Sequence, residues 1–227
     1  MSMKKYVLFL VVGFLPFFLK AELLYQLAQF DEVNVGVERT DSLINPLSEY
    51  SPKWNDPKFH LCNTGKSVKY LSNEEKNVMW VLNMIRMDPQ LFLNSVLMNE
   101  HFYNHQKTST YYLSLISDIK KLKPNNSPLL PDSSAYVSAR CHAIQAGKRG
   151  YIGHERGKSG CIPDYRAECC DYGSVFAIYI LMDLLVDEGI ESLGHRVTCL
   201  SPNYHYLGVS IQPHKSNYGT NTVMDFN

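Results

Sequence analysis

The residue types best able to do chemistry lie in the last ninety positions of the chain. His154 follows Gly153, and His195 stands in Gly194-His195-Arg196. Glu168 precedes the pair Cys169-Cys170, Asp187 and Glu188 close an apolar segment, and His142 sits among small residues. Two imidazoles and one or two carboxylates brought together can bind a divalent cation of the Zn²⁺ type. They can also form a His–Glu proton-transfer pair. His154, His195 and Glu168 are the expected metal ligands. Three protein ligands would leave an open position for water or a ligand, as a functional site requires. Asp187 is expected nearby, and His142 is a candidate to line the same cavity. Each has a plainer reading: hydrogen-bonded loop histidines, a loop carboxylate accepting backbone N–H groups, and a packed helix histidine. Any chain with 8 His and 22 acidic residues offers such sets.

Several sharper motifs fail. His154-Glu155 begins like H-E-x-x-H, but Lys158 holds the closing position. Gly65-Lys66-Ser67 ends like a phosphate loop, but His60 stands where its first Gly belongs. Ser159 is not in a nucleophile elbow. No pair of C-x-x-C knuckles marks a structural zinc site. Any hydrolysis here would use water as the nucleophile.

Positioning these residues requires helices first. Ser72 to Glu75 offers a capping box, and Val78, Leu82 and Ile85 follow at helical spacing. That helix should end before Pro89. A short helix is expected over 91–97, a polar loop over 99–110 and a helix over 111–122. Another should open at Pro131-Asp132-Ser133-Ser134 and run to about Lys148. Its Ala135, Ser138, Ala139, His142, Ala143 and Ala146 make a small face suited to close packing. Residues 157–173 read as irregular, 175–186 as a buried helix and 193–200 as a short helical segment. Leu207, Val209 and Ile211 then alternate with Gly208, Ser210 and Gln212, a strand pattern. Turn chemistry at 215–219 and a second strand over 222–226 complete a hairpin. The fold class is therefore α+β.

The 227 residues carry 22 Lys+Arg against 22 Asp+Glu, so no basic field exists to hold nucleic acid through its phosphates. Residues 1–5 form a short basic head, and residues 6–19 are apolar, which reads as a secretory signal over 1–21. The run is short for a membrane span, which needs about 20 residues. Removing the signal takes away Lys4, Lys5 and Lys20 and no acid, leaving 19 basic against 22 acidic residues. The expected product is secreted or extracytoplasmic, with no integral membrane span. Its six Cys suit an oxidising compartment and two or three disulfides, with 15 pairings possible. Residues 22–69, with Pro46, Pro52 and Pro57 and no clean period, read as an extended arm. A folded domain should span 70–227.

Five segments resemble the CAP superfamily (the SCP domain of cysteine-rich secretory, antigen 5 and plant pathogenesis-related class-one proteins). "VLNMIRMDP" is similar to that family's first helix, and "ARCHAIQAGKRGYIGH" to the segment ending in its first cavity His. "AEC" stands where the family has G-E-N. "LGHRVTCLSPNYHYLGVSIQPH" resembles the second His segment in the bacterial G-H-R form, and "NTVMDF" the final strand. The resemblance implies an α-β-α sandwich with a small antiparallel sheet between helices. It implies a cavity of two His and two acids: His154, His195, Glu168 and, by position, Asp187. Its implied role is a secreted, non-enzymatic module binding an apolar small molecule or an extracellular partner protein, with a divalent cation in its cavity. A metal-dependent or His–Glu hydrolase and a structural envelope or host-contact domain are the alternatives.

Overall fold

The computed structural model describes residues 44–157 and 160–227. The expected signal segment lies outside the described residues. The first long helix, α1 (Asn73–Met87), begins as its sequence dictates. Ser72 accepts from the Glu75 N–H, and the Glu75 carboxylate accepts from the Ser72 N–H. Glu75 also accepts from the Ile211 N–H at 2.9 Å, so the cap ties α1 to the sheet. Pro89 starts α2 (Pro89–Phe92), which runs into a π-helical turn over Leu93–Leu97. Next come α3 (Glu100–Gln106) and α4 (Thr110–Lys121). α3 occupies part of a segment expected as loop. Asn99 caps it through the His101 N–H, and Phe102 anchors it in the core.

After a two-residue strand β1 (Leu130–Pro131), Asp132 caps α5 (Ser133–Arg149). Strand β2 (Ala167–Tyr172) follows, then α6 (Ala177–Val186), α7 (Gly194–Leu200), β3 (Tyr206–Pro213) and β4 (Thr220–Phe226). The sheet order is β1-β3-β4-β2. The β3–β4 and β4–β2 pairs are antiparallel, and β1 adds a parallel edge to β3. The α+β class holds, with a mixed sheet. α5 covers one face, where its Ala139 and Ala143 pack on Cys170 and Val223. α1, α6 and α7 cover the other, packing on Cys169, Leu207, Val209, Met224 and Phe226.

The small face of α5 has a steric cause. A Cβ on Gly208 of β3 would lie 2.2 Å from the backbone of Ala135 and Tyr136, and one on Gly147 would lie 2.1 Å from the Pro213 carbonyl. Helix and sheet thus approach as closely as backbone allows.

Residues 44–69, expected as part of an extended arm, belong instead to the core. Ser51 and Asp56 cap two 3₁₀ helices, Pro52–Asn55 and Pro57–Cys62. Leu47, Trp54, Phe59 and Cys62 are fully buried. Each large apolar side chain so buried contributes about 1.5–3 kcal/mol. Two of the prolines that broke the sequence period, Pro52 and Pro57, are the first residues of these short helices, where a missing N–H costs nothing. Asn83 of α1 fixes the segment: its side chain donates to the Cys62 and Leu129 carbonyls and accepts from the Leu129 N–H.

Candidate functional site

β2 and β4 bring together residues far apart in sequence. Glu168 lies opposite Asp225 in the strand register. Arg156 reaches between them, bonding to Glu168 Oε2 and lying 3.2 Å from Asp225 Oδ2. It also donates to the Ser138 carbonyl at 2.8 Å and stacks over the Tyr165 ring. Ser138 Oγ donates to Asp225 Oδ2 at 2.5 Å and accepts from the Asp164 N–H. Arg156, Glu168 and Asp225 are almost completely buried. Burial and the neighbouring Glu168 push the Asp225 carboxyl up to about 8. Burial also pushes Glu168 up, but the hydrogen bond from His154 and the charge of Arg156 outweigh it and hold Glu168 below the usual carboxylate range. One positive guanidinium thus faces two buried carboxyls, of which Glu168 is favoured in its ionised form and Asp225 holds a proton the more readily.

The two expected histidines converge. Their ring centroids are 5.9 Å apart. His154 Nδ1 is 2.9 Å from Glu168 Oε1, and His195 Nδ1 is 2.7 Å from Asp187 Oδ1. Each imidazole thus turns Nδ1 to a buried carboxylate, with the ring partly exposed: 51% of the side chain for His154 and 20% for His195. The hydrogen bond that His154 donates to the Glu168 carboxylate raises the His154 pKa against the opposing effect of burial.

Local backbone explains Asp187. It ends α6 in the left-handed region, at φ 58°, a conformation that Asp tolerates better than most residues. Its carboxylate thereby turns onto the start of α7. Oδ2 accepts from the His195 N–H at 3.0 Å while Oδ1 takes the imidazole. Leu193, which occupies the N-cap position of α7, supplies no side-chain cap, so Asp187 fills that role from six residues away. Arg196 locks the same corner from below. Its guanidinium donates to the Leu185, Val186 and Tyr111 carbonyls and pairs with Asp118 at 2.9 Å.

His142 lies behind this pair rather than beside it. It is fully buried, with Nε2 2.9 Å from the Gly153 carbonyl and 3.9 Å from Glu168 Oε1. Because a carbonyl only accepts, Nε2 carries the proton, and Nδ1 is left buried without a partner. His142, Glu168 and Cys170 have ligand atoms within 4.8 Å of one another and could hold a metal ion. Burial pushes the Cys170 thiol well up and His142 down. The thiol would have to lose its proton and Nε2 its carbonyl partner for that ion to bind.

One disulfide forms, Cys141–Cys161, joining α5 to the loop ahead of β2. Cys62, Cys169, Cys170 and Cys199 are free and buried, so the expected second and third bridges are not made. Cys169 and Cys170 point to opposite faces of β2. The Cys169 thiol donates toward the His195 carbonyl at 3.8 Å.

Arg156, Asp225 and Ser138 were not among the residues singled out by sequence. Ser138 was visible only as a small helix residue. Arg156 and Asp225 are 69 positions apart, and only the sheet register joins them to Glu168. Comparisons with models of protein families, with curated proteins and with solved structures found no match. Among the described residues no helix is long and apolar enough to cross a membrane.

Proposed function

We propose that the chain is a secreted CAP-type binding module. In this reading His154 and His195 hold a divalent cation of the Zn²⁺ class, and the ground around it takes an apolar small molecule or a partner protein. The observation that carries the reading is the pair of converging imidazoles, each oriented through Nδ1 by its own buried carboxylate. A carboxylate on Nδ1 fixes the tautomer, leaves the Nε2 lone pair for a metal and raises its basicity. The spacing supports a shared ion. With Zn–N about 2.1 Å and a ring radius of roughly 1.2 Å, tetrahedral binding sets two ring centres about 5–6 Å apart, and the observed separation is 5.9 Å.

Glu168 then acts behind His154 rather than as a direct ligand, since its oxygens already serve His154 and Arg156. Two protein ligands leave open positions for water or a bound group. Ile152, two residues from His154, and Val197, two residues from His195, are 50% and 63% exposed and offer apolar surface. Zinc titration calorimetry tests the reading. The wild type should bind one Zn²⁺, with affinity falling below about pH 6 as the imidazoles protonate. His154→Ala and His195→Ala should each abolish binding while the fold persists. Undiminished zinc binding by both variants would remove the reading.

A further inference from the structure

At the other end of β2, on the opposite face of the sheet from Glu168, a second group of oxygens has no account in this function. Asp171 is 6% exposed and Thr222 is fully buried. They lie directly opposite each other in the β2–β4 register, so their side chains share one face. Asp171 Oδ2 and Thr222 Oγ1 both lack a hydrogen-bond partner. Buried polar atoms are nearly always satisfied, and two orphans on adjacent strands point to a missing group between them. Burial and the nearby Asp183 push the Asp171 carboxyl up to about 8, and the backbone N–H groups of Tyr172 and Ser174 offset this only in part. Ser174 Oγ donates in turn to Asp183 Oδ2 at 2.8 Å, which brings a second carboxylate to the same corner. Among the described residues neither Asp171 nor Asp183 has an ion-pair partner. Asp183 is exposed and borders a surface cleft with Ser109, Val186 and Glu188, so an ion has a path from solvent.

We propose that Asp171, Asp183 and Thr222 form a second cation site, for a hard divalent ion of the Ca²⁺ or Mg²⁺ class. All its donors are oxygens, which hard cations prefer and which Zn²⁺ and Cu⁺ sites rarely use alone. Few protein ligands and one exposed carboxylate leave the remaining positions to water. That suits the flexible coordination of Ca²⁺ and an affinity of about 0.1–1 mM, the range of extracellular modules. Three residues along a strand separate Asp171 from Glu168, about 10 Å, and their side chains leave opposite faces. The two sites are therefore independent, and this inference does not rest on the function proposed above.

The test is thermal melting and calorimetry of the metal-stripped protein with CaCl₂ and, separately, MgCl₂. At 10 mM CaCl₂ the wild type should melt about 3–10 °C higher than in EDTA. Calorimetry should give one site per chain. Asp183→Asn, at the surface and still able to accept from Ser174, should weaken Ca²⁺ at least tenfold. Thr222→Val keeps the side-chain shape and should weaken it severalfold. Asp171→Asn should abolish binding. No Ca²⁺ or Mg²⁺ binding by the wild type at 10 mM overturns the proposal. So does Ca²⁺ binding that folded Asp183→Asn and Thr222→Val retain in full.

Discussion

Removing the guanidinium of Arg156 should be among the most damaging single changes near the site. In Arg156→Ala, Glu168 and Asp225 lose the charge between them while both stay buried, with side-chain exposures of 2% and 0%. The Ser138 carbonyl loses its donor and Tyr165 its stacked cation. Breaking a buried ion pair from one side typically costs about 3–5 kcal/mol. Arg156 is 7% exposed, so solvent screening gives little relief. For a folded unit of this size about 2–4 °C is lost per kcal/mol, so the melting point should fall by roughly 6–20 °C at pH 7. The cause predicts a specific rescue. Adding Glu168→Gln removes the stranded charge and should recover part of the loss, whereas an unrelated destabilising change would simply add. Urea denaturation of wild type, Arg156→Ala and the double variant measures this. A single-variant loss under about 1 kcal/mol, or strict additivity in the double variant, would refute the claim that this cluster is a desolvated charge balance.

Gly208→Ala should destabilise by about 1–3 kcal/mol, because its new Cβ meets the α5 backbone at 2.2 Å; Gly65→Ala, where the nearest atoms are side-chain atoms at 3.4–3.6 Å, should be nearly neutral in the same melts. Opening the Cys141–Cys161 bridge with paired Ala substitutions should cost about 3 kcal/mol, given its sequence separation of 20, and thiol titration of the denatured, unreduced wild type should find the other four cysteines free. In metal-free protein, NMR should place the His154 pKa above its ordinary 6.5, and Glu168→Gln should bring it back down. A raised folded-state value stabilises fully below the unfolded pKa, so the stability gap between wild type and His154→Gln should be present at pH 5 and vanish as pH rises through the folded value.

The parts legible in sequence were those with strong local causes. The Ser72–Glu75 capping box, Asp132 ahead of α5 and the alternation of 207–211 each specify structure within a few residues, and all three appear in the fold. β2 was hidden because A-E-C-C-D-Y has neither β-branched residues nor apolar alternation, and acidic residues are rare in strands. Its strand character comes from pairing with β4, which lies far along the chain: Tyr172 pairs with Asn221 and Ala167 with Phe226. Residues 44–69 were hidden for a similar reason. Short 3₁₀ helices have no long period to read, and only the core shows that Trp54 and Phe59 are buried. Within the candidate site, resemblance more than spacing singled out His154, His195, Glu168 and Asp187. Their division into two carboxylate–imidazole pairs, with Arg156 neutralising Glu168 from behind, depends on the sheet register.

The shared cation is tested most directly by X-ray diffraction from zinc-soaked crystals, recorded on both sides of the zinc absorption edge. One anomalous peak is expected within about 2.0–2.2 Å of Nε2 of both His154 and His195, with Glu168 and Asp187 still on the Nδ1 atoms. A peak among His142, Glu168 and Cys170 instead, or full zinc occupancy elsewhere with the two imidazoles unligated, would contradict the account.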